Sequence, residues 1–472
     1  MIRRFKKRTR QENFIHSPPT PVPDGPSPIT PGGDGQSAKV GVLKPLRFRD
    51  FRVLWTGMTV SLLGDGIYLV AIAFQVYELS NSPTALSVVF FAWTAPMVLF
   101  FLLSGVLSDR FDRRMLMIAS DVLRGVSIAA MGVLSVTGNL ELSHVLGLVA
   151  IYGVGDALFM PAFTAIVPDV VPKELLMEAN SLDQFVRPLT MRFLGPAIGG
   201  ALVGGAGPGV ALLADAGTFV VSGVCVAMMR ARPEQKRGGE KRSALADISE
   251  GFRFVRSRTW LWGTLASASI GLLFFLGPLE VLIPYVVKNQ MNGGAGGYGL
   301  ILSVGGVGAI ITSVTMGQFG LPRRHITFMY SAWGIGVLLI AGFALVRTVP
   351  QAMAISFVMS GMFSAGMIVW GTLMHKLVPR DLLGRVSSLD WLVSTALVPV
   401  SFILTGPVAD AIGVDRTLVF AGLIGSALTF AFLLLPGIHD TEKDGSMSGK
   451  SLASRGVPAE TEAASDGSGG GR

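Results

Sequence analysis

Ionisable side chains interrupt several long apolar runs of this sequence, and chemistry is first expected at these residues. A charge inside hydrocarbon is costly and needs a partner or water, so it marks a functional site by default. Asp65 lies between Gly64 and Gly66, where backbone and water can come close. It follows Arg52 by 13 residues, or roughly 20 Å of helix at the usual rise per residue. A carboxyl group at that depth can take up and release a proton.

Other charges within the apolar runs suggest the same chemistry. Glu280 lies between Pro278 and Pro284, so its helix is expected to be kinked. Asp121 lies one helical turn before Arg124, on the same face of its helix. The candidates for coupling a proton to a substrate are Asp65, Asp121, Arg124, Asp156, Arg192 and Glu280. In the alternative interpretation, carboxylates such as Asp65 and Glu280 form permanent ion pairs with Arg124 or Arg192 and hold helices together.

The composition indicates that these charges belong to a membrane protein. Half of the 472 residues are apolar and only 15% are charged, which is too little charge to cover a soluble protein of this length. Apolar runs of about 20 residues, enough to cross roughly 30 Å of hydrocarbon, recur along the chain. They predict an all-α polytopic membrane protein with twelve transmembrane helices, rather than a large soluble helical protein. The predicted spans are 53–79, 84–107, 114–136, 143–167, 181–203, 209–230, 260–287, 298–319, 326–346, 351–375, 387–411 and 414–436.

Lysine and arginine are distributed unevenly between the predicted loops. With the N-terminus placed in the cytoplasm, 33 of the 39 fall on the inner side, three lie within spans and three lie outside. The outer three are Lys288, Arg347 and Arg416. This bias is the positive-inside signature, and it predicts that both termini are cytoplasmic. The net charge of +8 therefore reflects topology, and no nucleic-acid partner is expected.

The two halves of the chain resemble each other in sequence. VPKELLMEANSLDQF from Val171 matches VPRDLLGRVSSLDWL from Val378, at an offset of 207 residues (378 minus 171). GPAIGGAL from Gly195 matches GPVADAIG from Gly406 at nearly the same offset. Parallel repeats of this kind belong to alternating-access transporters. The predicted domains are a disordered basic and proline-rich cytoplasmic tail at 1–45, a six-helix bundle at 46–230, a cytoplasmic linker at 231–259, a second six-helix bundle at 260–437 and a disordered cytoplasmic tail at 438–472.

A short charged segment, GVLSDRFDRR, follows the second apolar run. It resembles the loop 2–3 signature of the major facilitator superfamily, with Asp112 in place of a glycine of that signature. The resemblance implies that this loop latches onto the start of helix 11 in the outward-open transporter, where Asp109 would meet Arg385. Asp109 is also expected to cap a helix start. In the alternative interpretation, the loop is only a cytoplasmic charge anchor. The latch residues are Gly105, Asp109, Arg110, Arg113, Arg114 and Arg385.

A longer segment resembles one branch of this superfamily. FMPAFTAIVPDVVPKELLMEANSLDQFVRPLTMRFLGPAIGGAL, from Phe159, is similar to enterobactin-exporter and macrolide-efflux-type proteins. The same segment resembles the helix 5 antiporter motif at Gly195, Pro196, Gly199 and Gly200. It differs at Met191, where the motif usually begins with a glycine. Glycines four residues apart permit close helix packing, and a proline can bend the helix. Simple packing is the alternative role of this motif.

The resemblance implies a secondary active transporter that works by alternating access. More specifically, it implies a proton-coupled exporter, or antiporter, of drug-like or siderophore-like amphipathic small molecules. Spans 1, 4, 7 and 10 would line its cavity, and aromatic and methionine side chains would form an adaptable apolar wall. The wall candidates are Tyr68, Phe159, Met160, Trp370 and Met374. An importer of the same fold and a non-transporting membrane sensor or scaffold remain alternatives.

Signals of other functions are weak in this sequence. Gly294, Gly296 and Gly299 match the dinucleotide fingerprint in letters only, because the required strand–turn–helix context is missing. No Walker A sequence occurs, the five histidines lack metal-site spacing, and Cys225 is the single cysteine. Neither an enzyme nor a bound cofactor or metal is expected. The resemblance implies a monomeric multi-pass protein of a bacterial plasma membrane, with lipid, protons and a small-molecule substrate as its partners.

The latch hypothesis predicts a conformational effect of the substitution Asp109→Asn. Loss of this charge should weaken the outward-open state and lower transport turnover, because the latch acts on the conformational equilibrium. Membrane insertion should be unchanged. Transport by proteoliposomes checks this expectation, and a variant that transports at the wild-type rate would show that the latch assignment is wrong.

Overall fold

The computed structural model describes residues 43–230 and 244–443, and all regular structure within these ranges is helical. Apolar runs of this length form helices because a helix satisfies its own backbone hydrogen bonds where water is absent. The first half contains α1 Arg49–Leu79, α2 Pro83–Arg110, α3 Arg113–Val136, α4 Leu142–Val170, α5 Leu176–Arg187, α6 Gly195–Ala206 and α7 Pro208–Met228. The second half contains α8 Ala244–Arg256, α9 Thr259–Gly277, α10 Ile283–Asn289, α11 Gly294–Phe319, α12 His325–Gly342, α13 Val349–Leu377, α14 Arg380–Thr395, α15 Val398–Ile412, α16 Val414–Ala431 and α17 Asp440–Lys443.

Eleven helices in the described ranges are long and apolar enough to cross a membrane. The all-α polytopic fold is therefore confirmed, but apolarity alone gives one span fewer than the predicted twelve. The remaining predicted span, 181–203, lies in a helical run that is uninterrupted from Leu176 to Ala206. This run carries four charged residues, Glu178, Asp183, Arg187 and Arg192, which lower its mean hydropathy.

Two wide helical turns interrupt the membrane helices at prolines. Pro188–Leu194 joins α5 to α6, and Pro278–Leu282 joins α9 to α10; both have π-helical hydrogen bonding. Proline lacks the N–H that an α-helical turn needs, so a wider turn can form there. These turns carry two charged residues that the sequence singles out, Arg192 and Glu280. The kink predicted for the helix of Glu280 thus takes the form of a π-helical turn.

The internal repeat seen in the sequence is also present in the helix packing. In the first half, the main contacts are α1–α6, α1–α7, α2–α4, α3–α4 and α3–α7. The same five pairings recur in the second half as α9–α15, α9–α16, α11–α13, α12–α13 and α12–α16. The halves meet through α2 with α15 and through α6 with α11. These two contacts are equivalent when the halves are exchanged, as a parallel repeat requires.

The contacts between the halves depend on close backbone approach and on hydrogen bonds. A Cβ atom at Gly406 would lie 2.4 Å from the Cα atom of Thr84, so no side chain fits at this crossing of α15 and α2. Nearby, the Thr84 hydroxyl donates a hydrogen bond of 2.5 Å to Asp410 Oδ2. The Tyr77 hydroxyl donates to the carbonyl oxygen of Val281 at 2.6 Å. The end of α1 and the start of α2 are thereby fastened to the second half.

Close packing of α6 against α1 predicts a destabilising effect of Gly195→Ala. The added Cβ would lie 2.7 Å from the Cα atom of Gly66 and 2.8 Å from the Leu63 carbonyl oxygen. Overpacking of this kind costs about 1–3 kcal/mol, so the melting temperature in detergent should fall. Gly205→Ala on the same helix is the matched control, because nothing lies within 4 Å of its Cβ position. Equal melting temperatures for the two variants would contradict this account.

Candidate functional site

Arg124 on α3 lies at the centre of a buried charge cluster in the first half. Its side chain is only 2% exposed. Its Nη2 atom donates a hydrogen bond of 2.7 Å to Asp121 Oδ1, one turn earlier on the same helix. Its Nη1 atom lies 3.8 Å from Asp156 Oδ1 on α4. The guanidinium group, itself almost fully enclosed, therefore joins α3 to α4.

The guanidinium group of Arg124 lies over two aromatic rings. Its central carbon lies 4.5 Å from the ring centre of Phe159 and 4.6 Å from that of Phe219. Gly155 makes room for the side chain, since a Cβ there would lie 2.9 Å from Arg124 Cγ. Cations over aromatic faces are attracted by the ring quadrupole. The arginine is thus held both by carboxylates and by two rings.

Asp65 on α1 is bonded to a neutral donor and not to an arginine. The Tyr152 hydroxyl donates a hydrogen bond of 3.2 Å to Asp65 Oδ1. The Tyr152 ring stacks on Tyr68 with centroids 5.0 Å apart, and both rings contact Trp93. Asp65 itself is partly exposed. In the alternative interpretation, Asp65 is a permanent ion-pair partner of Arg124. Within the described residues, however, Asp65 forms no ion pair.

A fourth carboxyl group, Asp215 on α7, belongs to the same cluster. It is fully buried, and its Oδ1 atom accepts a hydrogen bond of 3.3 Å from the Thr218 hydroxyl. Its Oδ2 atom has no hydrogen-bond partner among the described residues. Gly64 makes room for it, because a Cβ there would lie 2.2 Å from Asp215 Oδ1. The sequence analysis did not select Asp215. The signal that selects Asp65, a carboxylate within an apolar run, applies to Asp215 equally.

The four carboxyl groups differ in their access to the surface. Asp121 is 2% exposed and is also held by a hydrogen bond of 2.8 Å from the Ser222 hydroxyl, and Asp215 is 0% exposed. The Asp156 side chain, in contrast, is 26% exposed, and Asp65 is also partly exposed. All four interact electrostatically with Arg124. The site thus has two enclosed carboxyl groups and two that are partly exposed.

The remaining coupling candidates lie near the contact between the halves. Glu280 is partly exposed in the π-helical turn between α9 and α10. Arg192 is exposed in the corresponding turn between α5 and α6. The two side chains interact electrostatically, but within the described ranges they form neither an ion pair nor a hydrogen bond. The structure therefore separates these two residues from the Arg124 cluster.

Two arginines at the start of α3, directly after the loop that follows α2, form hydrogen bonds within the first half. Arg113 Nη1 donates to Asp169 Oδ2 at 2.7 Å and to the Ala165 carbonyl oxygen at 2.8 Å, both near the end of α4. Arg114 Nε donates to the Val226 carbonyl oxygen at 2.9 Å, near the end of α7. These bonds hold the start of α3 against two neighbouring helices.

The expected helix cap at Asp109 is wrong, because α2 continues to Arg110 and the next helix begins only at Arg113. Asp112 is the residue that caps α3, and its Oδ1 atom accepts hydrogen bonds from the backbone N–H groups of Arg114 and Met115 at 2.8 and 3.3 Å. The glycine replacement in the signature therefore has a structural function.

The predicted contact between Asp109 and Arg385 stays a prediction. Arg385 Nη1 lies 2.5 Å from Glu250 Oε2. The side chains of residues 105–110, among them Gly105, Asp109 and Arg110, lie outside the described part of α2.

The candidates for an apolar cavity wall are mostly enclosed within their own half. Tyr68, Phe159, Trp370 and Met374 are at most 6% exposed, whereas Met160 is 38% exposed. Phe159 packs under the guanidinium group, and Trp370 donates its indole N–H to Asp390 Oδ2 at 3.1 Å. Asp390 was not selected from the sequence. Their role as a wall of a substrate cavity remains a prediction.

The glycines of the helix 5 motif are contact points for two other helices. A Cβ at Gly199 would lie 2.9 Å from Ile67 Cα on α1, and one at Gly200 would lie 2.8 Å from the Ala295 carbonyl oxygen on α11. Gly195 and Pro196 both approach Gly66. The motif therefore packs against α1 of the first half and also against α11 of the second half.

Comparison with known sequences gives one family and several related pumps. The family described as transmembrane secretion effector matches residues 40–457. Macrolide efflux protein A of Streptococcus pyogenes is 25% identical over 387 residues, which cover 79% of this chain and 93% of that protein. Multidrug efflux pump Tap of Mycolicibacterium fortuitum is 27% identical over 405 residues, which cover 83% of this chain and 96% of that protein.

Comparison with solved structures gives the same fold at low identity. A bacterial homologue of the human lysosomal transporter Spinster, inward-facing and unoccupied, has a TM-score of 0.62 and 15% identity, and the match covers 85% of this chain and 98% of that chain. A bacterial homologue of the iron transporter ferroportin, in an inward-facing state, has a TM-score of 0.62 and 16% identity, with 82% and 98% coverage. At this identity the likeness concerns the fold alone.

The enclosure of Arg124 predicts a large effect of Arg124→Gln on stability. Removal of the cation leaves Asp121 and Asp156 without their buried partner, and breaking a buried pair in this way costs about 3–5 kcal/mol. Arg187→Gln is the matched control. It breaks the pair with Asp183, whose arginine side chain is 30% exposed, and such pairs contribute about 0–1 kcal/mol. Thermal unfolding in detergent measures both, and a similar loss for the two variants would contradict the central position of Arg124.

Proposed function

We propose a specific function from the premise that the chain belongs to the transmembrane secretion effector family of the major facilitator superfamily and is thus a membrane transporter. In this proposal it is a proton-coupled exporter of drug-like or siderophore-like amphipathic small molecules. In this proposal it works as a monomer in a bacterial plasma membrane, with both termini in the cytoplasm. We keep in this proposal the boundaries predicted from the sequence for the tails, the linker and the two six-helix bundles, with one correction. The second bundle extends to Lys443 and not to 437, because α17 Asp440–Lys443 is helical and Glu442 accepts a hydrogen bond of 2.9 Å from the backbone N–H of Thr327. Transport proceeds by alternating access between the halves.

One observation carries the coupling part of the proposal: four carboxyl groups share a single buried guanidinium group. Asp65, Asp121, Asp156 and Asp215 all interact with Arg124. If all four were ionised, the cluster would hold a large uncompensated negative charge inside the membrane, which is costly. Protons are the simplest replacement for the missing cations. The cluster is therefore suited to gain and lose protons as its access to water changes.

Asp65 is the residue that we assign to this proton exchange. Asp121 is held by both Arg124 and Ser222, so its charge is needed for the buried pair. Among the described residues, Asp65 accepts a hydrogen bond only from the Tyr152 hydroxyl, which can stay bonded to the carboxyl group in either protonation state. Its helix α1 also contacts α11 of the second half. A change of charge at Asp65 can thus influence the contact that must move during transport.

The substrate class rests on the named relatives and on the apolar interior. Two similar proteins carry the names macrolide efflux protein A and multidrug efflux pump Tap. An amphipathic molecule suits a path that is mostly apolar and has a few polar groups. Export against a gradient requires energy, and protons that enter through the Arg124 cluster supply it in this mechanism.

The substitution Asp65→Asn tests this proposal directly. Asparagine resembles the protonated carboxyl group in shape and lacks its charge, so the variant should bind substrate and carry out downhill counterflow. It should lose uphill export, because it can no longer exchange a proton. Its melting temperature should stay close to that of the wild type, since Asp65 forms no ion pair within the described residues. Asp183→Asn, which removes a carboxylate outside the cluster, is expected to retain uphill export.

The measurement is substrate-stimulated proton release from proteoliposomes, with macrolides and siderophores as substrates. Normal uphill export by Asp65→Asn would show that Asp65 does not carry the proton. Export that persists after an uncoupler has removed the proton gradient, but stops without sodium, would show that protons are not the coupling ion.

A further inference from the structure

A cavity lies inside the second half, away from the Arg124 cluster. It has a volume of about 330 Å³ and is bounded by residues of α9, α12, α13, α14 and α16. Much of its wall is aromatic, formed by Trp333, Phe363, Trp370 and Trp391. Asp390 is the one ionisable side chain that lines it. The cavity thus combines several π faces with a single negative charge.

Asp390 has no cationic partner among the described residues. Its Oδ2 atom accepts a hydrogen bond of 3.1 Å from the indole N–H of Trp370, and its Oδ1 atom accepts one of 3.3 Å from the Ser394 hydroxyl. Both donors are neutral. A carboxylate in a membrane span normally pairs with a cation or faces water, so its charge remains uncompensated here.

Two hydroxyl groups of α9, Thr264 and Ser267, also line the cavity and are buried. Both interact with the phenol of Tyr330, which donates a hydrogen bond of 3.1 Å to Thr264 Oγ1. Polar groups of the cavity other than Asp390 are therefore neutral.

The first half contains a related cavity that differs in one decisive respect. That cavity has a volume of about 230 Å³ and is lined by residues that include Phe163 and Asp183. At the repeat offset of 207 residues, these correspond to Trp370 and Asp390 of the second half. In the first half, Arg187 lies 3.4 Å from Asp183 and supplies the positive charge. The residue at the equivalent position in the second half is Ser394.

We propose that the cavity of the second half binds an aromatic organic cation, with Asp390 as its counter-ion and the tryptophans as its walls. The ligand supplies the positive charge that Arg187 supplies in the first half. Aromatic faces favour a cation and an apolar ring system together. An anion of the same shape is repelled by Asp390. This inference rests on the proposed function, because it names a class of substrate for the exporter, but it concerns binding alone.

Binding is tested with the full-length protein in detergent, without any ion gradient. Radiolabelled tetraphenylphosphonium is the probe, and tetraphenylborate, which has nearly the same shape and the opposite charge, is the competitor. We expect saturable binding of the cation and at least tenfold weaker competition by the anion. Equal competition by the anion would overturn the proposal, because the site would then respond to apolar shape only.

Matched variants assign the binding to this cavity. Asp390→Asn should weaken cation binding at least tenfold, and Asp183→Asn should leave it unchanged. Ser394→Arg should also abolish binding, because it places a guanidinium group beside Asp390 as in the first half, whereas Ser394→Ala should bind nearly as well as the wild type. Wild-type affinity in either Asp390→Asn or Ser394→Arg would overturn the proposal.

Failure of this inference can be distinguished from failure of the proposed function. Asp65→Asn should bind tetraphenylphosphonium normally even though it loses uphill export. If Asp65→Asn abolishes binding and Asp390→Asn does not, the cation binds at the Arg124 cluster and the cavity assignment is wrong. If both variants bind as expected but the wild type exports without a proton gradient, the coupling proposal fails and the cavity assignment stands.

Discussion

The ion pair between Arg124 and Asp121 is the interaction on which the first half depends. A guanidinium group that is 2% exposed cannot lose its proton, so carboxylates must remain beside it. Asp121 meets this need from the same helix, and Asp156 supports it from α4. Once the positive charge of Arg124 has been balanced, any further carboxyl group nearby is in excess. Asp65 can therefore change its protonation state without breaking the pair that holds the helices.

The cluster exists only because glycines let the helices approach each other. A Cβ atom at Gly64 would collide with the carboxyl group of Asp215, and one at Gly155 would collide with the aliphatic part of the Arg124 side chain. In a membrane, helices gain little from burying apolar surface, so close backbone packing and polar contacts hold them together. The high glycine content, 59 residues, is consistent with this constraint. The same residues that make the bundle stable also create the space in which the charges sit.

Local features of the site could be predicted from the sequence, and contacts between distant segments could not. Asp121 and Arg124 are three residues apart, so their contact follows from helix geometry alone. The hydrogen bond from Tyr152 to Asp65 joins residues that are 87 positions apart, and no periodicity indicates it. The twelve spans were predicted from apolarity, and the run from 176 to 206 departs from that pattern because it carries four charged residues. Asp390 could have been found by comparing the repeats, since Ser394 stands at the position that Arg187 occupies in the first repeat.

The two halves share one arrangement of helices but differ in how their carboxylates are paired with positive charges. In the first half, positive charges are built into the chain, as Arg124 beside Asp121 and Arg187 beside Asp183. In the second half, Asp390 and Glu280 lie in membrane spans and have no ion pair within the described residues. Where an arginine is present, as at Arg124 and Arg187, neighbouring carboxylates are held in fixed contacts, and Asp65 remains as the excess carboxyl group that exchanges a proton. Where the second half has Ser394 at the position of Arg187, Asp390 is left open to a mobile cation. This asymmetry separates a half that holds its helices with arginines and keeps one carboxyl group for the proton from a half in which a carboxylate can meet a cationic ligand.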